Sequence, residues 1–184
     1  MIAVPHYVSA EEYLEIERQS SIRHEYRYGL VYAMAGGTDN HDRIAFNLLK
    51  IVDEHLGDTS GRRFYSGNVK VNYENDVYYY PDAFVTCDPR DRRDRYIKRH
   101  PKLVTEVLSS STQEFDSGEK FEDYKKIEDL EEYVLISQDQ QHVEIRHRSG
   151  DNTWKTFTYT AGEQVFLSSI NLKFDIAELY RGLD

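Results

Sequence analysis

An α/β domain with a mixed β-sheet is the fold this chain predicts, and three observations predict it. Two capped stretches of helical periodicity frame a short extended pair near the start. Strand-like runs then crowd the middle, and a further helical stretch is followed by more extended runs. With no internal repeat, low-complexity linker or composition break, the 184 residues read as one domain, residues 1–184, long enough to bury a core.

Ser9 followed by Glu12 is a capping-box pattern, in which each side chain satisfies a backbone N–H that a helix start leaves unpaired. Tyr13, Leu14 and Ile16 give this first helix an apolar side, and it ends near Gln19. RHEYRYGLVYAMAGG holds two short extended runs about Gly29, which is the pattern of a hairpin. From Asp39 to Leu56, Ile44, Leu48, Leu49, Ile51 and Val52 recur at helical spacing, and Gly57 suits a C-cap. RRFYSG and VKVNY read as strands, as do AFVTC and KLVTEVL on either side of a basic loop. Asp116 to Ile127 reads as one helix with Phe121, Tyr124 and Ile127 on one side. EEYVLI, HVEIRHR and TFTYT are three extended runs joined by turn-like DQQ and SGDN, and a short segment around DIAELY closes the chain.

No segment has the length and apolarity of a membrane span, so a soluble protein is expected. The opening MIAVPHYVSAEEYLEIE lacks the basic region, apolar stretch and cleavage site of a signal peptide, which makes the cytoplasm the expected compartment. Cys87 is the single cysteine and cannot form an internal disulfide; its apolar surroundings in sequence predict a buried thiol. A formal charge of −10 excludes a protein that coats nucleic acid through its overall field. DPRDRRDRYIKRHPK, Asp88 to Lys102, is the local exception: seven Lys or Arg against three Asp, a balance of +4. Such a run is either a solvated loop or, directly after a strand, a surface for phosphate contacts.

Two carboxylates stand out. In YYYPDAFVTC, Pro81 has no N–H for a ladder and suits a strand's first residue, which places Asp82 at the strand's rim; read alone, it is a turn aspartate. Glu106 sits within KLVTEVL, where an ionised carboxylate is costly to bury unless paired or bound to a metal; read alone, it faces solvent. If the two strands are neighbours, both acids reach one point, and two acidic oxygens are what a hard Mg²⁺ or Mn²⁺ takes. The chain has no GxxxxGK[ST], no zinc-type Cys/His spacing and no GxSxG. Tyr78, Tyr79 and Tyr80 either stack on bases or alternate between core and surface at the strand entry.

YPDAFVTC, PKLVTEVLSSST, FDSGEKFEDYKKI and EEYVLIS, with the earlier HEYRYGLVYAMAGGTDNHDRIAFNL, resemble the Uma2 family, once called DUF820, of the PD-(D/E)XK nuclease superfamily. The likeness runs from Ser9 to about Tyr180. It implies a restriction-endonuclease-like domain, a central mixed sheet flanked by helices. Pro81-Asp82 then corresponds to the PD element and Glu106 to the acid of the second motif. The superfamily places a lysine two residues later on the same strand face, where this chain has Leu108. In Uma2-like sequences the following helix supplies it, and the position is Lys120. Tyr124 shares its side of the helix, whereas Lys125 is turned away by about 140°. Glu25 matches an acidic position in the family's first block, as an extra ligand for metal or water or as a plain surface glutamate. His41 reads as a residue of a helix start.

The resemblance implies a Mg²⁺- or Mn²⁺-dependent phosphodiesterase acting on DNA. Asp82, Glu106 and the backbone carbonyl of Val107 hold the ion, and Lys120 and Glu25 complete the catalytic set. A homodimer would bring two centres to a duplex. Two other readings stay open: a nucleic-acid-binding or interaction module that keeps the fold without the reaction, favoured by the displaced lysine, and a hydrolase of a small phosphorylated substrate.

Overall fold

The structure, a computed structural model, describes residues 7–57 and 61–183; residues 1–6, part of the stretch read for a leader, lie outside them. Helix α1, Ala10–Gln19, starts on the predicted capping box, with the Glu12 backbone N–H donating to Ser9 Oγ and the Ser9 N–H to Glu12 Oε2. Strands β1, His24–Arg27, and β2, Leu30–Ala33, form the predicted hairpin. Tyr28 and Gly29 between them both have positive φ, as a two-residue turn matched to strand twist requires. Helix α2, Asp39–Leu56, runs to the predicted Gly57, which closes it at φ +54°; Thr38 is its N-cap.

Strands β3, Arg63–Ser66, β4, Lys70–Tyr73, β5, Val77–Tyr79, and β6, Ala83–Thr86, follow. The basic loop contains a 3-10 turn, Pro89–Arg92, and a two-residue strand β7, Ile97–Lys98. Strand β8, Pro101–Leu108, leads into α3, Gln113–Ser117, and α4, Glu119–Tyr124. The sequence predicts one helix here, and the structure breaks it at Gly118. A Cβ at that position would lie 2.9 Å from the Glu114 carbonyl oxygen, so glycine allows the sharp junction. Strands β9, Glu132–Ser137, β10, His142–Arg148, and β11, Trp154–Thr160, complete the predicted runs, and a further hairpin, β12, Gln164–Leu167, and β13, Leu172–Asp175, was not foreseen.

The larger sheet has the order β11-β10-β9-β8-β6-β3 and is mixed: β8 runs parallel to β9, with α3 and α4 in the crossover, and antiparallel to β6. A smaller sheet, β2-β1-β5-β4-β7, abuts it. Strand alternation divides the larger sheet between two cores. Ala83, Val85, Leu103, Val107, Val134 and Ile136 pack with Ile44, Leu48 and Val52 of α2. Phe84, Val104, Tyr133 and Leu135 point the other way, to Phe121 and Tyr124 of α4 and to Val71, Val77 and Tyr79 of the smaller sheet. Glu106 shares the parity of Val104 and therefore lies beneath α4.

Two expectations fail. Cys87 is exposed because β6 ends at Thr86 and the chain turns away before it. Tyr78, Tyr79 and Tyr80 do not alternate between core and surface: all three are buried, because α1 covers one face of β5, where Tyr78 packs with Tyr13 and Tyr26, and α4 covers the other, where Tyr79 packs with Tyr124. No helix among the described residues is long and apolar enough to cross a membrane.

Candidate active site

β6 and β8 are neighbours with Ala83 opposite Thr105, so Asp82 and Glu106 emerge at the same end of the pair. Asp82 Oδ2 accepts the Val107 backbone N–H at 2.7 Å, continuing the ladder where Pro81 cannot donate. Val107 thus meets Asp82 through its N–H. Glu106 is buried, and Lys120 Nζ of α4 lies 2.9 Å from its Oε1. The same ammonium lies 3.3 Å from Glu25 Oε1 and 3.4 Å from Asp116 Oδ1, and 5.2 Å from the centre of the Tyr79 ring. Tyr124 donates to Glu106 Oε1 at 3.4 Å, and Glu25 Oε1 accepts the Tyr80 backbone N–H at 2.9 Å.

The sequence-predicted residues Glu25, Asp82, Glu106 and Lys120 are therefore brought together, with Val107 on Asp82. Lys125 points elsewhere, paired with Glu122 at 2.9 Å. Sequence reasoning missed Asp116, which stands on α3 four residues before Lys120 and meets its ammonium across the break at Gly118. It also set His41 aside as a residue of a helix start. Thr38 Oγ1 does accept the His41 N–H, but His41 Nε2 also reaches Asp82 Oδ2 at 3.2 Å.

Lys120 is aimed by the far side of α4. Asp123, buried one turn on, accepts from Arg27 Nε at 2.8 Å, Tyr28 OH at 2.6 Å, Tyr79 OH at 2.8 Å and Lys126 Nζ at 2.9 Å. Arg27 also bonds Glu119. Burial opposes a charge on Asp123, yet these four donors outweigh it and hold the carboxyl below its ordinary range. The short helix is clamped to β1 and β5.

The centre is over-acidic. Glu25, Asp82, Glu106 and Asp116 carry four formal negative charges, against Lys120 and, when protonated, His41. Burial pushes the Glu106 carboxyl well above its usual range; Lys120 opposes the shift, and Asp116, Asp82 and Glu25 reinforce it. Burial also disfavours the Lys120 ammonium, but Glu106 and Glu25 outweigh it and keep the lysine charged. The hydrogen bond to Asp82 raises the His41 pKa against the effect of burial. A divalent cation fits this donor set: the oxygens are hard, the charge excess is negative, and Glu106 Oε2 is not engaged by the neighbours that hold Oε1.

Among the described residues, one triplet brings ligand atoms within 4.8 Å of one another, and it lies elsewhere: Asp88, His100 and Asp129. Asp88 follows Thr86, His100 precedes Pro101 and Asp129 precedes β9, which places the triplet at the opposite end of the β6–β8 pair.

The fold is that of the restriction-endonuclease-like α/β domains. It is similar to the crystal structure of "a putative nuclease belonging to DUF820" from Anabaena variabilis, with a TM-score of 0.79 at 17% identity, over 94% of this chain and 97% of that one. The chain belongs to the Uma2 family, described as "putative restriction endonuclease", whose match spans residues 10–177. Two uncharacterised proteins of Synechocystis, slr1290 and sll1609, are similar in sequence. The first is 38% identical across 96% of this chain and 93% of its own length, the second 33% identical across 84% and 88%.

Proposed function

We propose that the chain is a metal-dependent phosphodiesterase, a DNA endonuclease. The observation that carries the reading is the buried excess of carboxylates around one ammonium at the end of β6 and β8. Asp82, Glu106 and the Val107 carbonyl would hold Mg²⁺ or Mn²⁺, with Glu25 or Asp116 as a further carboxylate. Bound there, the ion would lower the pKa of a water and neutralise charge building on the phosphate. Lys120, charged and fixed by α4, orients the attacking water and stabilises the developing anion. Glu25 holds Lys120 in turn. His41 fixes the Asp82 carboxylate from the α2 side. The exposed Arg92, Arg93 and Arg95 offer contacts to backbone phosphates, which supply affinity without sequence reading. A homodimer with two such centres would cut both strands.

Purified protein incubated with plasmid, single-stranded DNA, RNA and a nucleotide panel tests this, in Mg²⁺ or Mn²⁺ and in EDTA. DNA cleavage that needs the ion and is lost in Glu106→Gln is the expected result. Hydrolysis confined to nucleotides would select the small-substrate reading, and DNA binding without cleavage the interaction-module reading.

A further inference from the structure

Beside α1 lies a groove of about 610 Å³, lined in part by Glu17, Arg23, Lys70, Tyr80, Asp94 and Tyr96. Its volume is in the range of small-ligand sites. Lys70 is the unusual member: it is 9% exposed, its ammonium lies 4.9 Å from the centre of the Tyr80 ring, and no carboxylate stands within 4.0 Å of it among the described residues. The other buried lysines have partners. Lys120 has three carboxylates, and Lys98 Nζ bonds the carbonyls of Asp91 and Asp94. A buried charge without a counter-ion is costly, and burial pushes the Lys70 pKa down although Glu17 and Asp94 oppose the shift.

The two acids facing the groove are already engaged. Glu17 accepts from His24 and from the Tyr80 hydroxyl, and Asp94 accepts from the Tyr96 and Ile97 N–H groups and pairs with Arg99. Lys70 therefore lacks an anion that the described fold does not provide. Arg23 stands nearby, 5.8 Å from the Tyr80 ring centre, and Tyr96 is 74% exposed with its ring available for stacking. Tyr80 joins the groove to the carboxylate centre: its ring lies under Lys70, its backbone N–H bonds Glu25, and Asp82 is two residues on. At about 3.8 Å per residue, the two sites adjoin.

We infer that this groove binds a nucleic-acid strand beside the carboxylate centre, Lys70 and Arg23 holding one backbone phosphate and Tyr96 stacking on an unpaired base. The ligand's chemistry is an anionic phosphodiester with a flat base attached, and an exposed aromatic reads a base only where the base is unstacked, so the strand is single there. The assignment of the strand rests on the nuclease reading; the missing counter-ion of Lys70 does not.

Fluorescence anisotropy with a short labelled thymidine strand, in EDTA so that nothing is cut, tests the groove. Lys70→Met keeps the stem and removes the charge. It should weaken binding about tenfold and lower the salt slope by about one phosphate contact. Its Tm should hold or rise. Tyr96→Ala, at an exposed position, should weaken binding about tenfold through lost stacking. Unchanged affinity in both variants overturns the site. So does a loss confined to a Lys70→Met protein of lowered Tm, which would mean damage to the fold. Thymidine monophosphate binding as tightly as the strand would overturn the strand assignment. Cleavage by wild type together with normal binding in both variants removes the groove and leaves the nuclease reading. Strand binding that depends on Lys70 in a protein that cuts nothing does the reverse.

Discussion

At one end of the β6–β8 pair, Asp88, His100 and Asp129 bring three ligand atoms within 4.8 Å of one another. At the other end, Glu25, Glu106 and Asp116 surround Lys120, and Asp82 stands beside them. By proximity of ligands alone, the first is the better metal site. Charge reverses the order. Arg90 already occupies the first cluster, 2.6 Å from Asp88 Oδ2 and 3.3 Å from Asp129 Oδ2, and its hydrogen bond to Asp88 draws that carboxyl down to about 2. At the second end burial drives Glu106 the other way. One cluster is solvated and compensated, whereas the other is dry and short of positive charge. A cation gains most where desolvated carboxylates outnumber their counter-ions, as four do around Lys120.

The largest test of that contrast is catalytic. Lys120→Ala should lower DNA cleavage by about a hundredfold, the loss typical of one preorganised donor, while Lys125→Ala, on the outer side of α4, cleaves normally. Equal rates in the two variants would show that the buried ammonium does not act on the phosphate. Metal affinity comes next. Calorimetric titration with Mn²⁺ should lose its site in Asp82→Asn and in Glu106→Gln and keep it in Asp88→Asn and Asp129→Asn. The opposite pattern would move the metal to the exposed end.

A smaller effect falls on the clamp behind Lys120. Asp123→Asn leaves Arg27 without its buried partner and should cost about 3 kcal/mol in chemical denaturation. The sign of its pH dependence follows from the depressed carboxyl. The stability it contributes is present above the ordinary aspartate pKa and is lost as pH falls through the lower folded value. The acid limb of the wild-type stability curve should therefore flatten in Asp123→Asn. An unchanged limb would remove Asp123 from the clamp. The smallest effect belongs to the basic loop. Replacing Arg92, Arg93 and Arg95 by Ser should reduce the slope of DNA affinity with salt by about 0.9 per lost phosphate contact, with Mn²⁺ binding intact. An unchanged slope would make the loop a solvated one.

Much of the carboxylate centre was legible in the sequence because strand and helix periodicities place Asp82, Glu106 and Lys120, and the family pattern selects Lys120 among its neighbours. The rest depends on how elements meet. His41 bonds Asp82 only because α2 packs on the face of β6 and β8, and no local pattern encodes that packing. Asp116 carried a signal in its four-residue spacing from Lys120, but the two stand on separate helices that Gly118 divides, so their meeting depends on the angle of that break. The buried tyrosine run defeated alternation because two different layers cover its two sides. The Arg-rich loop hides a folded core of its own: buried Asp91 accepts from Thr86 and from the Arg99 and His100 N–H groups, an arrangement that a charge count does not suggest.

The bond from the Val107 N–H to Asp82 has a consequence for folding. It ends the β6–β8 ladder on a side chain at a fixed residue, so it favours one alignment of the two strands over its neighbours. A slip of one residue would turn every side chain of β8 to the opposite face. Glu106 would then enter the aliphatic layer beneath Ile44 and Leu48, and Val107 would face Lys120. An ionised carboxylate among those side chains is prohibitive, so the acid proposed for metal binding also penalises the misaligned sheet.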